Sequence, residues 1–593
     1  MKPQSSSRRS SSSLQSAPKA YSQNEIVRLA WLAIFISVFS FLFYSRHGDL
    51  LLYGDAVAHI NIARRVFDSK TPGLLQLGTV WLPLPHLLIM PFIISKQMWQ
   101  SGGGGSIPSL AGFLLGVLGI FRFVRTAAPR DTEVDEPTKI WAWAAAVTYA
   151  ANPNLIYMQS TAMGESVYLA CFIWAVVYFA EFARQNGADA EGQRKGNRFL
   201  VRCGLCLVAA CLTRYDGWFL ATVLVIAVAV LIWREGNHEK EQVSRSSVSI
   251  SRSAIVKFVL LVAAGPVLWL GYNAIVYRNP LEFANGPYSA KAIEQNTATV
   301  NPSKGSVISA GSYFLKAAEL NVGANTWQGR LWLALALLGS LVAAFSGRLR
   351  AALFLWVPLP FYALSVAYGS VPIFLPAWWP FSIYNARYGL QLLPAFAVFV
   401  PLGIFFLLRS ATNIPGVSAD WTRRAPILAA LGWLALLVTT YGSIWRADPI
   451  CYREAKVNAR GRVSLDAQLA DWLKSLPPNY TLLMYLGQHS GALEQAAFPL
   501  RSVIHEGNHR VWKQPSDPDG LWERALSDPA AYANFIIGFD GDPVWKAAKD
   551  HSLTALVEIH TTGQPRAAIF QGRTQDQNPS QTPAPPKPSG ATR

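Results

Sequence analysis

The chain has 593 residues, of which 51% are hydrophobic and only 15% charged, with a mean hydropathy of +0.22. A soluble protein carries about a quarter charged residues, and here the apolar residues gather in runs close to the ~20 that a bilayer crossing needs, so composition excludes a soluble globular chain. The formal charge of +17 would suggest a nucleic-acid partner in a soluble protein. Here much of the Lys and Arg excess falls in short segments between apolar runs, as orientation by positive charge requires, and nucleic acid is excluded on that ground.

Residues 1–27 are rich in Ser, with Arg8 and Arg9, and are too long and polar for the charged region of a cleaved signal; the expectation is a disordered cytoplasmic tail before an uncleaved first span at 28–45. An outer loop at 46–106 follows. It opens with Tyr53-Gly54-Asp55-Ala56-Val57-Ala58-His59-Ile60, an amphipathic stretch reaching Arg64 and Arg65. On a helix, Asp55 and His59 are one turn apart and share a face, so an acid and an imidazole stand where the chain leaves the bilayer. A carboxylate there can serve as a general base on a water-borne substrate; the structural alternative is an acidic residue at a solvated helix start. Residues 80–99 are apolar enough to span, but Pro83, Pro85 and Pro91 interrupt them. Each proline costs ~3 kcal/mol inside a helix, and a crossing there would reverse the charge bias of every later segment. They are expected to lie in the interface. The Gly-rich link at 101–106 lacks the lysine of a phosphate-cradling loop.

Eleven spans are expected, at about 28–45, 107–125, 140–158, 166–183, 199–213, 217–233, 254–276, 330–346, 351–369, 388–408 and 426–445. Positive residues such as Arg122, Arg125, Arg194, Lys195, Arg348 and Arg350 place the N-terminus inside and the C-terminal region outside. Cys203 and Cys206 have a C-x-x-C spacing but sit in an apolar run with Cys211, which favours packing over redox or metal chemistry. Two further outer segments are long: 277–327, with Tyr288 and Lys291, and 371–387, with Trp378, Trp379, Tyr384 and Arg387. From 446 to 573 the apolar runs shorten to strand length, at 481–486, 502–505, 534–539, 555–559 and 567–570, with helical patterns at 465–476 and 543–550 between them. This alternation predicts a small α/β domain. His489, His505 and His509 fit no familiar metal spacing and are read as surface histidines. Residues 574–593 are rich in Pro, Ser and Gln, which predicts a disordered tail.

The ionisable residues collect at one level. Asp55, Glu165, the Arg214-Tyr215-Asp216 turn and Arg387-Tyr388 all fall at outer helix ends, while the middles of the spans are nearly free of charge. A transporter or flippase for lipid-linked sugars, the alternative function, would place charges or broken helices at mid-membrane depth. A site at the boundary instead receives one substrate from the lipid and another from water. Asp55 and Glu165 can supply a base and its orienter, and Arg387 a forked grip on phosphate. Helix-end charges, interfacial snorkelling and a simple Arg214–Asp216 pair are the structural alternatives.

In these features the chain resembles the GT-C superfamily of integral-membrane glycosyltransferases, which includes protein O-mannosyltransferases and the lipid A aminoarabinose transferases. Members carry an acid soon after the first span, here Asp55; often a second opening the fourth, here Glu165; and an Arg-Tyr pair before a late span followed by Leu-Pro, here Arg387-Tyr388 and Leu393-Pro394. The resemblance covers about residues 28–445. It implies a polytopic α-helical GT-C-like fold with a small extracytoplasmic α/β domain, in a bacterial-type cytoplasmic membrane with the active site outside. It also implies a polyprenyl-phosphate sugar donor and inversion at the anomeric carbon; the residues then read as the site are Asp55 as base with Glu165 and His59, and Arg387 and Tyr388 with Lys291 and Arg64 for the donor phosphate. Many relatives have two adjacent acids in the first loop, whereas this chain has Gly54-Asp55-Ala56 with His59 one turn on. The Asp-x-Asp metal site of some relatives is absent there, so metal dependence is open, and the sequence names no cofactor. Neither the hexose or pentose transferred nor the acceptor (protein, lipid or polysaccharide) is specified.

Overall fold

The structure is a computed structural model describing residues 23–127, 136–185, 190–241, 251–296, 300–346, 349–412, 419–477, 479–487, 489–508 and 520–572. Most of the N-terminal tail, the C-terminal tail and His509 lie outside the described residues. Among the described residues, ten helices are long and apolar enough to cross a membrane. Their outward faces carry large apolar side chains such as Trp31, Phe35, Leu260, Ile275 and Phe345, the inverse of a soluble protein and the pattern of a chain solvated by lipid. The protein is an integral, multi-pass membrane protein.

Ten of the eleven expected spans correspond to these helices. The third, at 140–158, is divided: Glu136–Ala150 stops and a separate helix begins at Pro153–Gln159. The cause is local. Proline restricts the residue before it to extended backbone, and Asn152 caps the second piece by accepting the Leu155 amide at 3.0 Å. Residues 80–99 are also broken, into Pro83–Ile89, a 3-10 turn at Met90–Phe92 and Lys96–Gln100. None of these pieces is long enough to cross. Small residues let the bundle close: a Cβ on Gly112 would sit 2.7 Å from the Ser166 carbonyl oxygen, so Gly103–Ala127 and Glu165–Gln185 touch backbone to backbone there.

The C-terminal domain follows the sequence pattern closely. Its five strands are β1 (Leu482–Met484), β2 (Val503–Ile504), β3 (Phe535–Phe539), β4 (Ala555–Ile559) and β5 (Ala567–Gln571). They form one sheet in the order β2-β1-β3-β5-β4, with β1 parallel to β2 and β3, and β5 antiparallel to β3 and β4. The expected helix at 543–550 is Pro543–Asp550, started by Asp542, whose carboxylate accepts the Trp545 amide. The surface reading of two histidines is overturned. His489 is buried and stacks on Phe539 at 3.8 Å, and His505 is fully buried, its Nδ1 accepting the Gly507 amide at 3.1 Å. Both lie just past strand ends, where the chain folds back over the sheet.

This domain rests on the loop after the first span. Asn61 donates to Glu494 at 2.7 Å, Gln76 to the Gly507 carbonyl at 2.8 Å, and Arg462 to the carbonyls of Leu51 and Leu52 at 2.9 and 3.0 Å. Helix Ile450–Lys474 connects the last span Ala419–Arg446 to the sheet, and Tyr53 donates to its Cys451 carbonyl at 2.8 Å.

Candidate active site

Helix Gly54–Arg65 buries Ala56, Val57, Ile60 and Ala63 and leaves Asp55 in its first turn, where the helix dipole favours a negative charge. Glu165 opens helix Glu165–Gln185 in the same way. Arg214 and Asp216 belong to the turn between Ala190–Thr213 and Asp216–Glu241. Arg387 lies in a 3-10 turn, Ala386–Leu392, entered through Asn385 in the left-handed region at φ 57°, a conformation that Asn tolerates better than most residues. Gly389 lets this turn press on Val307–Val322: an added Cβ would sit 2.5 Å from the Ala317 carbonyl oxygen.

These elements meet around Arg387. Its Nη2 pairs with Asp55 Oδ2, its Nε lies 3.3 Å from Glu165 Oε1 and its Nη1 lies 3.5 Å from Glu454 Oε1. The Tyr53 and Tyr388 rings lie 4.9 and 5.4 Å from the guanidinium carbon. Glu454, from helix Ile450–Lys474, also accepts the backbone amides of Asn385 at 2.9 Å and Arg387 at 3.2 Å. It therefore holds both the turn and the side chain the turn presents. Glu165 Oε1 is shared with a second cation, Arg214, at 3.3 Å. Arg214 reaches Asp216 at 3.1 Å and the Tyr362 hydroxyl at 2.9 Å, and that hydroxyl donates to Asp216 at 2.9 Å. Tyr388 lies between the two guanidinium groups, 5.3 Å from that of Arg214.

Among the described residues, four carboxylates thus face two guanidinium groups, a formal charge of −2. Asp55 is the most accessible acid of the three on Arg387: its side chain is 31% accessible, against 1% for Glu165 and Glu454. A group arriving from outside meets Asp55 first. The acids converge on a guanidinium, and no group of three or more His, Cys, Asp or Glu disposed to hold a metal occurs among the described residues.

The other expected site residues are placed elsewhere. The His59 Nδ1 lies 2.9 Å from His86 Nε2, one ring donating to the other, and its edge meets Trp81 at 4.7 Å. Burial pulls the His59 pKa down to about 4, opposed by Asp55 and assisted by Arg387 and Arg214, so the ring is neutral at physiological pH. Arg64 is used in packing: it pairs with Asp68 at 3.0 Å, donates to the Ile93 and Ile94 carbonyls at 2.6 and 2.8 Å, and lies over Trp99. Lys291 is exposed on the short helix Ala290–Asn296. Sequence reasoning missed Glu454 and Tyr362. The one signal for Glu454 is helical spacing with Ile450, Cys451 and Ala455, which puts an acid on an apolar face.

Neither a protein-family model nor a curated protein sequence matches the chain. Its fold does match solved structures: a polytopic helical membrane bundle with a small α/β domain at one end. The ArnT structure from Cupriavidus metallidurans bound to undecaprenyl phosphate is similar at TM-score 0.54 and 12% identity, covering 93% of this chain and 98% of that one. The same protein in its apo state gives 0.53 and 13%, covering 92% and 98%. At these identities the likeness is one of fold.

Proposed function

We propose that this chain is a membrane glycosyltransferase that moves a sugar from a polyprenyl-phosphate donor to an acceptor at the extracytoplasmic face. The observation that carries this reading is the partly accessible Asp55 carboxylate, held by a buried guanidinium at the end of an apolar bundle. The relative with this fold is seen with undecaprenyl phosphate, which supports a lipid phosphate as the carrier here.

In the proposed reaction Asp55 takes the proton from the acceptor nucleophile. A bond forms from that nucleophile to the anomeric carbon while the bond from that carbon to the phosphate oxygen breaks. The polyprenyl phosphate departs with the electron pair, and attack from the opposite face inverts the centre. Arg387 holds Asp55 before the donor enters. The donor phosphate then takes Nη2 from Asp55, which frees the carboxylate to act as base, while Glu165 and Glu454 keep Nε and Nη1 in place. Arg214, Asp216 and Tyr362 fix Glu165 from behind. Because the acids here outnumber the cations, phosphate binding at Arg387 alone is opposed by its neighbours.

The test is purified protein in lipid nanodiscs with a panel of radiolabelled polyprenyl-phosphate sugars, following label into an acceptor or into water. Label release that disappears in Asp55→Asn supports the proposal. Absence of release from every donor, or full release by Asp55→Asn, refutes it.

A further inference from the structure

Cations also gather where the first and last spans finish. Span Gln23–Arg46 ends on Arg46, and span Ala419–Arg446 ends on Arg446. Helix Ile450–Lys474 starts four residues later and carries Arg453 and Lys456 near its beginning. Side-chain contacts fix the level of this joint. Tyr44, in the last turn of the first span, lies 5.4 Å from the Tyr452 ring, and both rings meet Tyr157 at 4.9 Å. The Tyr452 hydroxyl donates to Asp49 at 2.6 Å. The start of helix Ile450–Lys474 therefore stands beside the end of the first span, and the Lys456 Nζ lies 4.1 Å from the Tyr452 ring. Arg453 and Lys456 flank Glu454 in sequence, but the Glu454 side chain is buried against the turn that carries Arg387.

Arg46, Arg446 and Lys456 are exposed and Arg453 is half-buried. None of the four has an ion pair among the described residues. Two acids stand at the joint: Asp49, which is buried and accepts from Tyr452, and Asp448, which is exposed. Four cations against two acids leave a formal charge of +2. On the orientation read from the sequence this is the outer end, where orientation by charge calls for few Lys and Arg, so that rule does not account for them. A second observation lies just within the spans. Leu42 and Phe43 precede Arg46, Val438 and Trp445 precede Arg446, and all four are exposed. Exposed apolar side chains followed at once by exposed cations repeat the layers of a phospholipid, chains first and phosphate next.

We infer that this joint is a binding surface for an anionic phospholipid of the adjoining leaflet, its headgroup phosphate held by Arg46, Arg446, Arg453 and Lys456 and its acyl chains lying on the apolar side chains beside them. A single cation at a span end anchors a helix in any lipid. Several without counter-ions, brought together from two spans and a third helix, attract a lipid with net negative charge, each cation contributing separately. The inference stands whether or not the chain transfers a sugar.

The experiment titrates full-length protein in detergent with phosphatidylglycerol or phosphatidylcholine, read by bound radiolabelled lipid and by melting temperature. Wild type should bind phosphatidylglycerol in preference, gain melting temperature from it, and lose the preference as salt is raised. Arg46→Gln, Arg446→Gln and Lys456→Gln should each lower the affinity about fivefold, and the triple variant should lose the preference. These side chains are exposed, so the variants should fold, as circular dichroism will check. Arg252→Gln removes an exposed arginine at the start of another span and should bind as wild type does. No preference in wild type, or an undiminished preference in the folded triple variant, overturns the inference. An equal loss in Arg252→Gln also overturns it, because the attraction would then be one of net charge alone. Soluble glycerol phosphate binding as tightly as the lipid would assign the surface to a water-borne anion and overturn the phospholipid.

Discussion

Arg387 and Arg65 serve the two ends of one short region in different ways. Arg387 has three carboxylates on its three nitrogens, two aromatic rings beside it and its backbone amide bound by one of those acids. The Arg65 Nε is enclosed without a hydrogen-bond partner, and its electrostatic partner is the single carboxylate of Glu506. Both leave an Nε without a hydrogen-bond partner; they differ in how many carboxylates stand around the guanidinium. The difference teaches that two arginines of one region can be met with very different amounts of counter-charge.

The comparison can be broken most forcefully at Asp55. Asp55→Asn keeps the shape of the cluster and removes its base, so turnover of a polyprenyl-phosphate sugar should fall about 10²–10⁴-fold with the fold retained by circular dichroism. Near-normal turnover would make the cluster purely structural.

The His59–His86 pair between the two regions is tested by pH. The His59 pKa is lowered from 6.5 in the unfolded chain to about 4, so the unfolded state binds the extra proton. Stability is full above about pH 6.5 and is lost as pH falls towards about 4, by up to ~3 kcal/mol for this one group. His86 is lowered as well, by burial first and then by His59 and Arg65, and acts with the same sign. His59→Gln should flatten the melting-temperature profile over that window; an unchanged profile would mean that neither ring is held neutral.

Arg387→Lys sharpens the comparison further. It keeps the charge but cannot reach three acids at once, and donor affinity should fall about tenfold or more, an effect of ~1.5–3 kcal/mol. A defect that follows acceptor concentration instead would show that Arg387 only orients Asp55. The smallest effect is expected at Asn385. Asn385→Ala places a less tolerant residue at φ 57° and removes the side-chain bond to the Pro372 carbonyl. It should cost ~1–2 kcal/mol of stability, read as a lower melting temperature with donor affinity altered less than in Arg387→Lys.

Much of this was legible in the sequence, for reasons that differ by element. The spans and the five strands show because bilayer length and strand alternation are one-dimensional patterns. The division at Asn152-Pro153 lay inside an apolar run that reads as one span, although the capping residue and the proline were both in view. Asp55, Glu165 and Arg387 could be picked out because each is a charge where a hydrophobic run ends. His489 and His505 were misplaced because the folding of a short loop over a sheet leaves no periodic trace. Glu454 was missed because its partners lie some 70 residues earlier, at 385 and 387, a pairing that no local pattern carries.

Glu454 has one more consequence, for the modularity of the chain. It stands beyond the last apolar span, on the first turns of the helix leading into the C-terminal sheet, yet its carboxylate closes the turn that presents Arg387. A cut or graft made where the hydrophobic runs end would divide the site itself. The soluble-looking domain and the membrane bundle therefore cannot be exchanged independently among proteins of this fold: a chimera would have to carry helix Ile450–Lys474 with the bundle, and a chimera joined before it should insert in the membrane normally but present a misaligned arginine.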